Sequence, residues 1–474
     1  MPPKASRDAM NLAELIFQRT QADSVAVIDH QISYSYGFLA EKSAEIAARL
    51  LGIHAVGRAA RIGLKCRDGF SYIALSLGIL RANACFVPIA PELSKAECQS
   101  LIELLHLDGV ITEGEDLGEF SYEVTPHGAG CPWQVPFEGL NPALIRFSSG
   151  TTGTSKGIVL SHETLLARII AANDGLQIGP QDRVLWVLSM AHHFAVSILL
   201  YLWNGAAILI PEAHLATDFL TTARDHGATV LYGAPFHYLL LISSEEKIPW
   251  PSLRLAVSTT AGLAPQVAAD FLAKYGLHPV QALGVMEVGL PFLNISEPEK
   301  RPTSIGRPQP AFEARLLTSE GQQVLPGEEG ELFLKGPGIF DAYISPWKIR
   351  GELLRNGEWF ATGDIARADE EGFYYLLGRT KAVINVGGMK FFPEEVENLL
   401  CSHPGVSDAR VMGRVHPTFG SVPVAEIVPT GNPQVSASEL TMLCKKQLAR
   451  YKIPVEMLFV DAIPKTPSGK TLRR

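Results

Sequence analysis

Between residues 25 and about 284, short β-rich apolar runs alternate with helical patterns at the spacing of βαβ units. Runs at 85–89, 206–210, 229–233 and 253–258 read as strands. Between them lie helical segments such as 39–51, with Leu39, Ile46 and Leu50 on one face and Gly52 as a stop. Another helix opens with Pro265 in its first turn and closes at Gly276. This alternation predicts largely parallel sheets covered by helices. The stretch 184–211 carries no Asp, Glu, Lys or Arg and is long enough to cross a bilayer. It is broken by Ser189, His192, His193, Ser197, Asn204-Gly205 and Pro211, so it reads as strand, loop, buried helix and strand, with no integral membrane span.

Beyond Gln309 the texture turns β-rich, with a turn at 326–330 and a strand at 331–335. After Gly378 the order is strand (382–386), helix (393–402), strands (409–413 and 422–428), helix (437–449) and a last strand near 457–460. The expected fold is α/β. A large N-terminal domain (1–380) has mainly parallel sheets with helices plus a β-rich lobe, and a small mobile α+β C-terminal domain (381–474) follows. No internal repeat or low-complexity tract interrupts it.

The 474 residues leave room for two or three domains, and 47% hydrophobic against 19% charged residues is a globular balance. A net charge of -8 gives no basic face for nucleic acid, so an anionic ligand must be held by local donors. Six scattered cysteines, with no CxxC pair and no zinc spacing to histidine, read as reduced thiols. The N-terminus lacks the charge pattern and apolar run of a signal peptide, so the expected compartment is cytoplasmic.

The densest chemistry lies in Phe147-Ser-Ser-Gly-Thr-Thr-Gly-Thr-Ser-Lys-Gly157, between the apolar runs Ala143-Leu-Ile145 and Ile158-Val-Leu160. Its glycines free backbone N–H groups, and its hydroxyls and Lys156 add donors and charge, as a triphosphate requires. It is not a Walker A loop, because Ser155 and Gly157 flank the lysine.

With this loop, Thr362-Gly-Asp364, Gly378-Arg-Thr-Lys381 followed by Gly387-Gly388 and Pro393-Glu-Glu-Val-Glu397, and Pro464-Lys-Thr-Pro-Ser-Gly-Lys470, the chain resembles the adenylate-forming enzymes from end to end. That family includes acyl- and aryl-CoA synthetases, peptide-synthetase adenylation domains and firefly luciferase. The resemblance implies ATP, Mg2+ and coenzyme A, or the phosphopantetheine of a carrier protein, as cofactors. Ser148, Ser149, Gly150, Thr151, Thr152, Gly153 and Lys156 would hold the β- and γ-phosphates, with Thr152 also near the metal. Asp364 would accept from both ribose hydroxyls, with Arg379 as a second ribose contact. Lys470 would bridge substrate carboxylate and α-phosphate, offsetting the charge that builds when two anions meet. Glu287 would bind magnesium. Lys381 would be the hinge, and Gly387-Gly388 would meet the thiol in the second half-reaction.

The chain departs from the family pattern at two places. The usual Tyr-Gly-x-Thr-Glu stands here as Leu283-Gly284-Val-Met286-Glu287, replacing the adenine-stacking ring and the α-phosphate hydroxyl. The lost hydrogen bond would cost roughly 1.5–3 kcal/mol. Upstream, Thr259-Thr260-Ala261-Gly262 replaces a glycine-rich run; the backbone of 260–262 would still line the adenine site, while the threonines narrow the acid pocket.

The segment 190–197 has no acidic residue to pair a substrate ammonium, which argues against a free amino acid. His193, or else His192, resembles the family's aromatic gate. Tyr232, Pro235, Phe236, His237, Thr259 and Leu283 would form a mostly apolar wall suited to a fatty, aryl or polyketide-derived acid, although a lone histidine such as His237 is more often a core residue. With no fused carrier domain expected, the thiol is coenzyme A or a separate carrier protein, and the enzyme works as a monomer or homodimer. The alternatives are an enzyme that loads a free-standing carrier, and an impaired relative that binds nucleotide or acyl ligand.

Overall fold

The computed structural model describes residues 10–113, 122–126, 134–148, 156–246, 248–260, 262–318, 320–379, 384–391, 393–431 and 434–463. The chain divides into a large unit (1–91, 102–147 and 157–377) and a small one (92–101, 148–156 and 378–474).

In the large unit a nine-stranded sheet runs in the order Arg307–Pro308, Gly289–Leu293, Val280–Val285, Leu255–Ser258, Val230–Gly233, Arg183–Trp186, Ala207–Ile210, Val25–Asp29, Ile32–Ser35. Its centre is parallel, and antiparallel strands close both edges. Side chains alternate between two cores, as a sheet covered on both faces requires. Val184, Trp186, Val230, Tyr232 and Val257 enter the main core, while Leu185, Val187, Leu231 and Ala256 pack on the opposite face. An eight-stranded sheet shares the main core through Ile62, Leu64, Phe86 and Leu144. The almost wholly apolar helix Phe70–Arg81 is buried in that core.

The stretch weighed as a membrane span is the strand Arg183–Trp186, a loop, the buried helix Ile198–Trp203 and the strand Ala207–Ile210. Among the described residues no helix is long and apolar enough to cross a membrane. The β-rich lobe is a four-stranded antiparallel sheet of Glu313–Leu317, Glu329–Lys335, Phe360–Ala368 and Tyr374–Arg379.

In the small unit the strand Gly420–Pro429 forms a hairpin with Val406–His416 and also pairs with Ile384–Val386, itself paired with Met389–Phe391, at Gly420 and with the parallel strand Glu456–Phe459 at Val424–Ile427. The helices Pro393–Cys401 and Ala437–Gln447 bury Val396, Leu400, Leu440 and Cys444 against it.

Candidate functional site

Parallel strands leave a crevice beyond their carboxyl ends, where open α/β sheets bind ligands. Trp186, Gly233 and Ser258 end three neighbouring strands of the nine-stranded sheet, and the predicted pocket residues follow directly. Tyr232 is buried, and burial pushes its phenol up to about 12, opposed by the neighbouring Thr259 hydroxyl. Pro235, Phe236 and His237 open the helix Pro235–Ser243, where the Ala234 N–H donates to His237 Nδ1 at 3.0 Å. Burial, with a smaller contribution from His214, holds His237 down to about 4. The histidine therefore caps its helix as a neutral imidazole. His192 and His193 are both half-buried in a turn whose N–H groups donate to Ser189 O at 3.1 and 3.0 Å. That turn is fastened by Met190 N–H to Asp68 Oδ1 (2.9 Å) and Ser197 Oγ to His193 O (2.8 Å).

Leu283, Gly284, Met286 and Glu287 lie where Val280–Val285 turns back into Gly289–Leu293. The turn is closed by Val288 N–H to Val285 O at 2.9 Å and held from behind by Arg168. The Arg168 guanidinium donates to Met286 O and Glu287 O, both at 2.7 Å, and to Gly338 O at 2.5 Å. Arg168 is buried, and desolvation brings its guanidinium down to about 9, opposed by the negative charges of Asp341 and Glu287. Gly338, at φ +74, lets this happen, because a Cβ there would stand 2.4 Å from Arg168 Cγ. The Glu287 carboxylate accepts from Tyr343 OH at 3.1 Å, and burial together with that carboxylate raises the Tyr343 phenol. Glu287 O also takes the Phe340 N–H at 2.8 Å, and the Phe340 ring meets Phe360 edge-on at 5.7 Å.

Phe360 opens the strand that carries Asp364. Register slips between Glu331 and Phe333, so Thr362–Asp364 form a bulge opposite Leu332 with Gly363 at φ +73. Thr362 Oγ1 donates to Leu332 O at 2.8 Å and accepts the Asp364 N–H at 3.0 Å. This leaves Asp364 buried on the four-stranded sheet rather than on the nine-stranded one.

In the small unit, Gly387 and Gly388 form a two-residue turn at φ +57 and +93, a geometry that favours glycine at both positions. Gly387 N–H donates to Phe419 O at 2.9 Å, and Gly388 N–H to Asn385 Oδ1 at 3.0 Å. Ser148 ends the strand Pro142–Ser148, Lys156 opens Lys156–Ser161, and Arg379 ends Tyr374–Arg379. Ser149, Gly150, Thr151, Thr152, Gly153, Ala261, Lys381 and Lys470 lie outside the described residues.

Arg168, Tyr343 and Gln281 support this site and were missed by the sequence reading. Arg168 had a usable signal, since it occupies the i+3 place of the apolar stripe Leu165, Ile169, Ala172, where a charge demands a partner. Gln281 Oε1 accepts the Leu263 N–H at 2.8 Å, a contact with no local trace in the sequence.

The model of the AMP-binding enzyme family matches residues 16–344, and that of the AMP-binding enzyme C-terminal domain matches 395–470. A sulfoacetate–CoA ligase of Cupriavidus necator is 32% identical over 73% of this chain and 69% of its own length. A feruloyl-CoA synthase of Amycolatopsis is 28% identical over 96% of both chains. The solved o-succinylbenzoate CoA synthetase of Bacillus subtilis, bound to a product analogue, superposes with a TM-score of 0.85 at 24% identity over 98% of both chains. That likeness shows a shared fold.

Proposed function

This chain belongs to the AMP-binding enzyme family, and from that premise we propose that it is an ATP-dependent acid–thiol ligase of the acyl-CoA synthetase type. The carboxylate of a small organic acid attacks the α-phosphorus of ATP, releasing pyrophosphate and forming an acyl-adenylate. The thiol of coenzyme A then attacks the acyl carbon and displaces AMP. The observation that carries this reading is the ordered match of both family domains, the second running up to Lys470. The named relatives are CoA ligases, which favours coenzyme A over a carrier protein.

In this reading Asp364 receives the ribose hydroxyls, and the Thr260–Gly262 and Leu283–Met286 segments line the nucleotide and acid sites. Lys470 serves adenylation, and the Gly387–Gly388 turn serves thiol transfer. The residues suit a magnesium ion carried by the nucleotide. Among the described residues no cluster of three or more metal-ligating side chains exists, whereas Glu287 offers one hard oxygen donor oriented by Tyr343. Such an ion would neutralise phosphate charge. The proposed compartment is the cytoplasm, where ATP and coenzyme A are both supplied.

The test is acid-dependent ATP–pyrophosphate exchange across fatty, aryl and hydroxylated acids, including ferulate, indoleacetate, sulfoacetate and 2-succinylbenzoate, with magnesium and no thiol. Exchange with one class establishes adenylation and identifies the acid. Silence across the panel, with ATP binding demonstrated separately, refutes the ligase reading in favour of a nucleotide-binding relative.

A further inference from the structure

Arg146 is a half-buried cation whose guanidinium has neither a hydrogen bond nor an ion pair among the described residues. It sits on the strand Pro142–Ser148, two residues beyond Leu144 and therefore on the face that Leu144 turns to the main core. Ala143, Leu144 and Ile145 before it are buried, and burial brings the Arg146 guanidinium down to about 10, opposed by its neighbour Tyr72. Tyr72, on the helix Phe70–Arg81, is completely buried, and its hydroxyl too has no hydrogen-bond partner among the described residues. Aromatic rings wall this pair in. Phe86, in register with Leu144, meets Tyr72 edge-on with ring centres 6.0 Å apart, and the Phe194 ring centre lies 5.2 Å from that of Phe86 and 5.9 Å from that of Tyr72. Two further charges face the pair. The Asp68 carboxylate raises the Tyr72 phenol but accepts the Met190 N–H at 2.9 Å and makes no ion pair with Arg146. Arg168 repels Arg146 and is itself satisfied by three carbonyls.

An unpaired charge and an unpaired hydroxyl held away from water each cost stability until a partner completes them. The guanidinium fork and the phenol O–H both donate, so the partner that suits them is an anion with at least two acceptor oxygens. We propose that Arg146 and Tyr72 form an oxyanion-binding site inside the large unit, which receives a carboxylate, sulfonate or phosphate group of a ligand. The site stands on these two side chains and does not depend on the ligase reading. That reading supplies two sources for the anion: a second acidic group on the acid, distinct from the carboxylate that is activated, or a phosphate of the nucleotide.

The test is isothermal titration of sulfate, succinate and magnesium–ATP into wild type, Arg146→Met and Tyr72→Phe, with thermal unfolding of the three ligand-free proteins. Arg146→Met keeps the side chain's length and removes an unpaired charge, so its ligand-free Tm should rise; Tyr72→Phe should match or exceed wild type. Arg146→Met should weaken sulfate binding at least about tenfold, and Tyr72→Phe about three- to tenfold. The same loss with succinate places a second acidic group of the acid in the site, and the same loss with magnesium–ATP places a phosphate there. Affinities for all three probes within about twofold of wild type in both variants overturn the proposal, as does a wild type that binds none of them. A lowered ligand-free Tm for Arg146→Met overturns it too, by showing that the guanidinium serves the fold through ordered water alone. Silence of the wild type in the exchange assay is a separate result; it refutes the ligase reading and leaves the sulfate titration to decide the site.

Discussion

Acidification should unfold the large unit through two buried histidines well before its carboxylates are neutralised. His237 accepts the Ala234 N–H, and His162 Nδ1 accepts the Leu12 N–H at 3.1 Å. Burial holds both at about 4 against an ordinary 6.5, helped at His162 by the positive charge of Arg58 and at His237 by His214. Each ring must be neutral to accept its N–H, whereas the unfolded chain takes up protons from pH 6.5 downward. Their stabilising effect is therefore complete above pH 6.5, lost progressively as pH falls towards 4, and constant below that. The full displacement corresponds to about 3 kcal/mol per histidine, of which about 2 kcal/mol is gone between pH 7 and pH 5. The assay is urea unfolding at pH 7, 6 and 5 for wild type, His162→Asn, His237→Asn and the double variant. Asparagine keeps an acceptor oxygen near the Nδ1 position and does not titrate. Wild type should lose about 4 kcal/mol more than the double variant over this range, and each single variant should recover about half. Parallel losses in wild type and double variant, within about 0.5 kcal/mol, would refute the reasoning.

Other perturbations test the remaining geometry. Gly338→Ala places a methyl 2.4 Å from Arg168 Cγ at φ +74, and should lower stability by about 2–4 kcal/mol in the same urea assay. Tyr343→Phe removes the hydroxyl from Glu287 and should raise the apparent KM for magnesium–ATP several-fold while costing only about 1 kcal/mol of stability; an unmoved KM means the carboxylate is oriented by other groups. Met286→Thr restores a hydroxyl at the family's α-phosphate position and should improve kcat/KM for ATP about tenfold, measured by pyrophosphate exchange. Lys470→Ala should abolish that exchange yet leave transfer from preformed acyl-adenylate to coenzyme A comparatively intact, and equal loss of both would argue against separate roles in the two steps.

Local chemistry made most of the elements readable. The helix foreseen at 39–51 starts three residues earlier because Ser35 caps it by accepting the Phe38 N–H, and it ends at Gly52. The helix opened by Pro265 stops where Gly276 enters the left-handed region at φ +75, as its glycine signalled. The strands foreseen at 409–413 and 422–428 proved longer, Val406–His416 and Gly420–Pro429, because a two-stranded ladder continues on backbone hydrogen bonds after apolar alternation ends. Val415, 88% exposed near the tip, has no hydrophobic reason to be in a strand. In the candidate site, the proposal of Asp364 and Glu287 rests on short contiguous motifs that a sequence displays directly. The supports were not, since Arg168, Gln281 and Tyr343 act on carbonyls, N–H groups and a carboxylate from distant parts of the chain.

The carbonyl grip of Arg168 also dates the site within the life of the chain. Met286 lies 118 residues after Arg168 and Gly338 lies 170 residues after it. At about 5–20 residues per second, ribosomal synthesis separates the arginine from the last of its three acceptors by roughly 10–30 s. Until Met286 and Glu287 are made the helix His162–Leu176 carries a cation with none of its three carbonyl acceptors, and until Gly338 is made it lacks one of them, so burying the guanidinium is costly. A nascent chain arrested before Gly338 would hold the Glu287 turn in sequence but without its full support. Assembly of the site is thus a late event, timed by the emergence of a glycine whose carbonyl and missing side chain serve Arg168.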